Sequence, residues 1–228
     1  MTEWFRLGKN EIEEKLATNF ENGLSNDEVA RKLEQHGPNE LIDRGSKSPW
    51  KILWEQLTGI MVIILIISAA ISLALGEVQD AIVILIIVVL NTILGFTQEY
   101  KAERAMAALK QLAVPHVKVR RGGHVVEISA RELVPGDIVL LEAGNAVPAD
   151  ARIIESVNLR ALEAVLTGES EAVEKISDAL TTQNPPLGDR INSLYMGTVI
   201  TYGRGSAVVT DTGMNTQLGK IAEMIQSV

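Results

Sequence analysis

Two apolar runs in close succession constrain this chain more than any other feature. From Leu57 to Gly76 the only polar side chains are Thr58, Ser68 and Ser72, and from Ala81 to Phe96 they are Asn91 and Thr92. Each run comes close to the roughly 20 residues that cross a bilayer core. No proline interrupts either run, and neither has a polar face. A soluble fold would need a much larger domain to cover both, so the pair predicts a transmembrane hairpin.

The connection Glu77-Val78-Gln79-Asp80 carries no Lys or Arg. Lys47 and Lys51 precede the hairpin, while Lys101, Arg104 and Lys110 follow it. Positive charge is retained on the cytoplasmic side, so both ends are expected in the cytoplasm and the short loop outside. Asn91 reads as a helix–helix hydrogen-bonding amide rather than an ion ligand. The second run passes into helix-forming residues from Thr97 to Ala113, a stretch with no Gly or Pro. A helix from Ala81 to Ala113 would be about 50 Å long at 1.5 Å per residue. Its last part is expected to project as a cytoplasmic stalk.

Composition narrows the function classes. The chain has 228 residues, enough for one good-sized domain or two small ones, and its 46% hydrophobic content is concentrated between Ile60 and Phe96. A net charge of −8 argues against a nucleic-acid partner, which needs a basic face. With no cysteine there are no disulfides, thiolate metal sites or Cys nucleophiles. His36, His116 and His124 are far apart in sequence and lack the i, i+4 spacing of a zinc helix. The first residues, Met1-Thr2-Glu3-Trp4-Phe5-Arg6, do not resemble a secretory signal and are expected to stay cytoplasmic.

The remainder reads as soluble protein. Ser25 and Glu28 form a capping box, with Leu24 and Val29 placed as a hydrophobic staple, and Gly37-Pro38 ends that helix. A shorter helix is expected around Glu11 to Asn19. Two such helices bury too little area to stand alone and are expected to dock on the later domain. After Pro115 the period becomes two. Val117–Arg120 and His124–Ile128 flank Arg121-Gly122-Gly123 as a hairpin. A second capping box is expected at Ser129 and Glu132. Strands are expected at Ile138 to Leu141, Ala151 to Ser156, Met196 to Tyr202 and Ser206 to Thr210, with a closing helix from Thr216 to Ser227. Together these predict a compact, mainly-β module of jelly-roll type. Gly203-Arg204-Gly205 lacks a third glycine and is expected to join two strands, so it is not a dinucleotide loop; no nucleotide site is read anywhere.

Within that module lies Thr167-Gly168-Glu169-Ser170, a weak motif alone but informative after a membrane hairpin. Several segments resemble the N-terminal part of a type II P-type cation-transporting ATPase, most like bacterial calcium pumps. Gly23-Leu24-Ser25 through Gly37-Pro38-Asn39-Glu40-Leu41 is similar to the cation-ATPase N-terminal domain. Gln98-Glu99-Tyr100-Lys101-Ala102-Glu103-Arg104-Ala105 resembles the stalk of the second span. Pro135-Gly136-Asp137, Pro148-Ala149-Asp150 and Leu166-Thr167-Gly168-Glu169-Ser170 resemble the actuator domain. Leu187-Gly188-Asp189-Arg190 and Tyr202-Gly203-Arg204-Gly205 are most like the bacterial calcium pumps.

The resemblance implies a multidomain membrane protein, an α-helical transmembrane hairpin plus a mainly-β, jelly-roll-like cytoplasmic actuator domain with docked N-terminal helices. The expected divisions are 1–48 for the N-terminal segment, 49–80 for the first span and outside loop, 81–113 for the second span and stalk, and 114–228 for the actuator. In this family an aspartate in an Asp-Lys-Thr-Gly motif takes the γ-phosphate of ATP, and the actuator loop then promotes hydrolysis of that aspartyl phosphate. The resemblance therefore assigns Glu169 to orienting and activating water, Gly168 to a close backbone approach, and Thr167 and Ser170 to holding the loop. ATP and Mg2+ are implied as cofactors of the complete pump, with none bound by this chain alone. The expected partners are the lipid bilayer, the remaining phosphorylation, nucleotide-binding and transmembrane parts, and the transported cation. The cation is calcium by resemblance, with H+, Na+, K+ or Mg2+ as alternatives. Because Val228 precedes the Asp-Lys-Thr-Gly motif, the chain alone is expected to be inactive. A free-standing membrane-anchored regulatory or complementing module and an inert truncated product are the other readings.

Overall fold

The computed structural model describes residues 3–41, 48–112 and 115–226. Among them the chain separates into two units: residues up to 41 together with those from 115 onward, and residues 48–112 between them. The positions expected at Lys47, Ala113 and Ser227 lie outside the described residues.

The first unit begins with helix α1 (Lys9–Leu16), two residues earlier than expected and ended by Ala17 in the left-handed region at φ 44°. Helix α2 (Asn26–His36) starts on the expected capping box: Ser25 Oγ accepts from the Glu28 amide at 3.4 Å, and Glu28 Oε2 accepts from the Ser25 amide at 2.8 Å. Gly37, at φ 73°, ends it. These helices bury few residues, Ile12, Leu16 and Val29. Ile12 and Leu16 pack with Ile138, Ile154 and Val208, and Leu24 and Val29 pack with Val134. Each such side chain contributes about 1.5–3 kcal/mol of burial. Asn39 adds a polar tie: its Nδ2 donates to Ala130 O and Pro148 O, both at 2.9 Å, and its Oδ1 accepts from the Gly213 amide at 2.8 Å.

The second unit departs from the sequence reading at the first apolar run. Instead of one helix from Leu57 to Gly76 there are two, α3 (Pro49–Leu57) and α4 (Ile60–Ala74), bent by 54°. Gly59 stands at the break, and Thr58 Oγ1 donates to Trp54 O at 2.8 Å, capping the end of α3. With 15 residues, α4 is about 22 Å long, short of a bilayer core by itself. The third helix, α5, runs from Val78 to Leu112, 35 residues or about 52 Å. Val78, Gln79 and Asp80, expected in the loop, instead form its first turn, where the Asp80 carboxylate suits the positive end of the helix dipole. Gly76 at φ 84° makes the reversal before it. Among the described residues one stretch, Val78–Ala105, is long and apolar enough to cross a membrane, and α3 with α4 reaches that criterion only as a bent pair. Val62 and Ala69 of α4 and Ala81, Val88 and Thr92 of α5 are buried, whereas Ile64, Ile67, Leu90 and Leu94 face outward, and so does Asn91. Thr92, beside it, keeps its hydroxyl on its own helix by donating to Val88 O at 2.8 Å.

The rest of the first unit is an antiparallel sheet. Its strands are β1 (His116–Arg121), β2 (His124–Ser129), β3 (Ile138–Glu142), β4 (Asp150–Leu162), β5 (Ala172–Glu174), β6 (Ser193–Leu194) and β7 (Val199–Asp211). They hydrogen-bond in the order β2-β1-β3-β7-β4-β5, with β6 on β4. The β1–β2 hairpin forms as expected, with Arg121 opposite His124 and the turn made by Gly122 and Gly123 at φ 56° and 79°. Ser129 Oγ accepts from the Arg131 amide of a single 3-10 turn, not from Glu132 as a capping box requires.

The larger correction concerns Gly203-Arg204-Gly205. The two strands it was expected to join are one, β7, and the glycines lie inside it. Its partner β4 also extends past the expected Ser156 to Leu162, with bulges along the pairing and Asn158 at φ 51°. A Cβ on Gly203 would sit 2.2 Å from Asn158 O, and one on Gly205 would sit 2.3 Å from Glu155 O. Glycine is required there so that two bulged backbones can meet. Val119, Val139, Leu141, Ile153, Leu159, Leu194 and Ile200 form the buried core. Helix α7 (Gln217–Gln226) closes the unit, with Asp150 accepting from the Gln217 amide at 2.7 Å and the Met196 amide at 2.9 Å.

Candidate functional site

Strand β4 ends at Leu162 and β5 begins at Ala172, the two paired through Arg160 with Glu174 and Leu162 with Ala172. The segment between them therefore leaves the sheet and returns to it. Its outbound arm is the single turn α6 (Ala164–Thr167), organised by one carbonyl: Glu163 O accepts from the Leu166 amide at 2.9 Å, the Thr167 amide at 3.0 Å and Thr167 Oγ1 at 3.2 Å. Gly168 then turns left-handed at φ 78°, a conformation that favours glycine. The Glu169 amide donates back to Thr167 Oγ1 at 3.3 Å.

The four sequence-predicted residues thus divide by role. Thr167 is partly buried and spends its hydroxyl within the loop, while Gly168, Glu169 and Ser170 are exposed. The Glu169 carboxylate stands at the tip of a short hairpin with solvent around it. Chemically, such a group accepts a hydrogen bond or a proton from water.

Residues to which the sequence reading gave no part in the site support this tip, among them the Leu187-Gly188-Asp189-Arg190 segment quoted for the resemblance. Gly188 lies against it, since a Cβ there would come 3.2 Å from Thr167 Cγ2. The turn carrying Gly188 (Leu187–Asp189) is held in place by Tyr195, whose hydroxyl donates to Leu187 O at 3.4 Å. Arg190 next to it places its guanidinium 4.7 Å from the centre of the Phe5 ring and donates to Pro185 O at 3.1 Å. Burial pushes the Tyr195 phenol well up, so it stays a donor. Below the tip, Glu163 and Lys175 are both buried, with Lys175 Nζ 2.5 Å from Glu163 Oε1. No local pattern marked this pair; only the return of β5 along β4 brings the two together.

Two of the other quoted motifs place their aspartates inside the fold. Asp137 is buried against Arg121, and Asp150 sits beneath the start of α7. Burial raises the Asp150 carboxyl to about 6, opposed by the hydrogen bonds it accepts from the Met196 and Gln217 amides. His36, His116 and His124 are exposed on α2, β1 and β2. Among the described residues no group of three His, Asp or Glu side chains is arranged to hold a metal ion.

The P-type ATPase actuator-domain model matches residues 111–226, and the cation transporter/ATPase N-terminus model matches residues 4–72. "Calcium-transporting ATPase 1" of Bacillus cereus is 42% identical over 231 residues, covering 99% of this chain and 26% of that protein. The "Calcium-transporting ATPase" of Bacillus subtilis is 43% identical, covering 97% of this chain and 25% of its own length. The "Sodium/potassium exporting P-type ATPase cta3" of Schizosaccharomyces pombe is 41% identical over 93% of this chain and 21% of its own. The chain spans about a quarter of the length of the relatives it matches. With both family segments matched in order and identity sustained along the whole chain, it belongs to the P-type cation-transporting ATPases.

Proposed function

We propose that this chain is the N-terminal part of an ATP-driven cation pump, with calcium as the transported ion, and that its hairpin tip promotes hydrolysis of an aspartyl phosphate borne by another part of the pump. The observation that carries this reading is the exposed Glu169 carboxylate on a turn fixed by Thr167 and Gly168. In the hydrolytic step a water oxygen forms a bond to phosphorus while the bond from phosphorus to the aspartyl oxygen breaks. Glu169 orients that water and takes its proton, and the electron pair leaves with the aspartate carboxylate. Gly168 keeps the turn slim enough for close approach to the phosphoryl group. Ser170 borders the tip on the other side.

Calcium is favoured by the names of the bacterial relatives; the yeast relative's name keeps sodium and potassium as alternatives. ATP and Mg2+ belong to the remainder of the pump in this reading. The residues here do not suit them, since the described residues offer no carboxylate cluster for a metal and the Gly-Arg-Gly segment lies inside β7. The helices α3 to α5 form a two-span hairpin in the cell membrane, the bent α3–α4 pair as one span and α5 as the other. Both ends of the hairpin face the cytoplasm, and α5 continues there as a stalk. The sheet with its N-terminal helices is the cytoplasmic actuator, of jelly-roll type.

The test is Glu169→Gln in the complete pump. Phosphorylation from ATP should persist while decay of the phosphoenzyme slows by about 100-fold or more, as expected when a general base is lost. Unchanged decay in a rapid-quench assay would remove Glu169 from this role.

A further inference from the structure

Glu163 and Lys175 are a pair of buried charges that the reading above does not use. Each is 1% exposed. They bracket the excursion that carries Glu169: Glu163 immediately precedes α6 and Lys175 immediately follows β5. The turn α6, Glu169 and the returning strand β5 all lie between them in the chain.

Both residues are also fixed to their surroundings through the backbone. Glu163 O gathers the Leu166 amide, the Thr167 amide and the Thr167 hydroxyl, so its position sets the turn that ends in Gly168. The Lys175 amide donates to Leu159 O at 2.8 Å, and Lys175 O accepts from Ser156 Oγ at 2.6 Å, which binds it to β4. The 2.5 Å contact between their charges closes the base of the excursion. Neither Glu163 oxygen nor Lys175 Nζ has hydrogen-bond geometry with another group among the described residues, so this is a charge contact in which each partner depends on the other. Burial drives the Glu163 carboxyl up and the Lys175 ammonium down, and each charge opposes the shift of the other. A buried ion pair is a poor source of net stability, because apolar residues of similar size fill the same space at no greater cost. What charge adds here is one fixed separation between the two arms.

We propose that the Glu163–Lys175 pair is a positioning clamp that sets the orientation in which the tip presents Glu169 to the phosphoryl group. The proposal rests on the role given to Glu169 above. Neither residue touches the reacting atoms; both act through the backbone of the turn. Since a displacement of about 1 Å can cost up to 100-fold in rate, loss of the clamp reaches the chemistry without removing a reacting group.

The experiment uses the complete pump carrying this segment and measures three quantities: phosphoenzyme formed from ATP, its decay by rapid quench, and the thermal midpoint. In the double variant Glu163→Leu/Lys175→Met the midpoint and phosphorylation should be retained while decay slows about tenfold or more. Lys175→Arg, which keeps the charge, should recover most of the parental rate. A double variant with parental midpoint and parental decay would overturn the clamp and leave the pair as packing alone. Should the double variant lose its fold, Glu163→Asp decides: it keeps the charge but shortens the arm, and slowed decay supports the clamp while parental decay overturns it. Glu169→Gln is run alongside. Parental decay in that variant overturns the role of Glu169 and the clamp with it, whereas slow Glu169→Gln with a parental clamp variant overturns the clamp alone.

Discussion

Asp137 is gripped by Arg121 through two parallel hydrogen bonds, Nε to Oδ1 at 2.8 Å and Nη2 to Oδ2 at 2.7 Å. The Asp137 side chain is fully buried, and that of Arg121 is 10% exposed. Asp137 Oδ2 also accepts from the Val134 amide at 2.9 Å, and Arg121 Nη2 also donates to Glu132 O at 2.9 Å. The pair thereby fastens the end of β1 to the turn that enters β3.

Removing one partner leaves a buried charge without compensation. Asp137→Ala is expected to destabilise the sheet unit by about 3–5 kcal/mol, whereas Arg121→Met/Asp137→Leu should cost less than that single change. Chemical denaturation of the two variants beside the parent chain measures the difference. A double variant less stable than Asp137→Ala would show that the charges themselves stabilise the fold.

Asp150 makes stability depend on pH. Its carboxyl is raised from 3.8 to about 6, chiefly by burial. The folded chain therefore binds this proton more tightly than the unfolded chain. The resulting stabilisation is complete below about pH 4 and is lost as pH rises through about 6, roughly 3 kcal/mol at most. Asp150→Asn, which cannot ionise, should lack this component. The stability difference between the variant and the parent is expected to shift in the variant's favour from pH 4 to pH 7 in denaturant titrations. A difference that stays constant with pH would remove Asp150 as its source.

The bulged β4–β7 pairing gives a contrast between two glycines that share a positive φ. Gly203 lies at φ 76° with Asn158 O 2.2 Å from where a Cβ would be, whereas Gly144 lies at φ 94° with nothing within 4 Å. Gly144→Ala should cost only backbone strain, about 1 kcal/mol, while Gly203→Ala should cost about 3 kcal/mol because backbone must also move. Thermal midpoints of the two variants provide the check, and equal losses would contradict the close approach at Gly203.

What was legible in the sequence follows from the range of the interactions involved. The Ser25–Glu28 box, the Gly122-Gly123 turn and the continuous run into α5 depend on neighbours a few residues apart, and each was readable from spacing. The break at Thr58-Gly59 was not, because a glycine in an apolar run permits a bend without requiring one. The β4–β7 pairing was hidden for another reason. Its bulges disturb the period of two, and Gly203 and Gly205 have the composition of a turn although they serve a backbone contact across the sheet. At the tip, Thr167, Gly168, Glu169 and Ser170 were singled out as a contiguous string. Glu163 and Lys175 were not singled out, and Gly188 was quoted only within Leu187-Gly188-Asp189-Arg190 with no link to the string, because the relation of all three to it exists only once β5 has returned along β4 and the Leu187 turn has folded beside it.

By itself the sequence determined that the chain has an apolar helical part and a polar, strand-rich part, and that Thr167-Gly168-Glu169-Ser170 falls in the second. Periodicity and local capping suffice for that, since both act along the chain. Only the tertiary structure decided where the helices break, which glycines turn and which make room, and which buried charges stand beneath Glu169. Those features arise from contacts between residues distant in sequence, where desolvation and backbone packing select partners that no local pattern records.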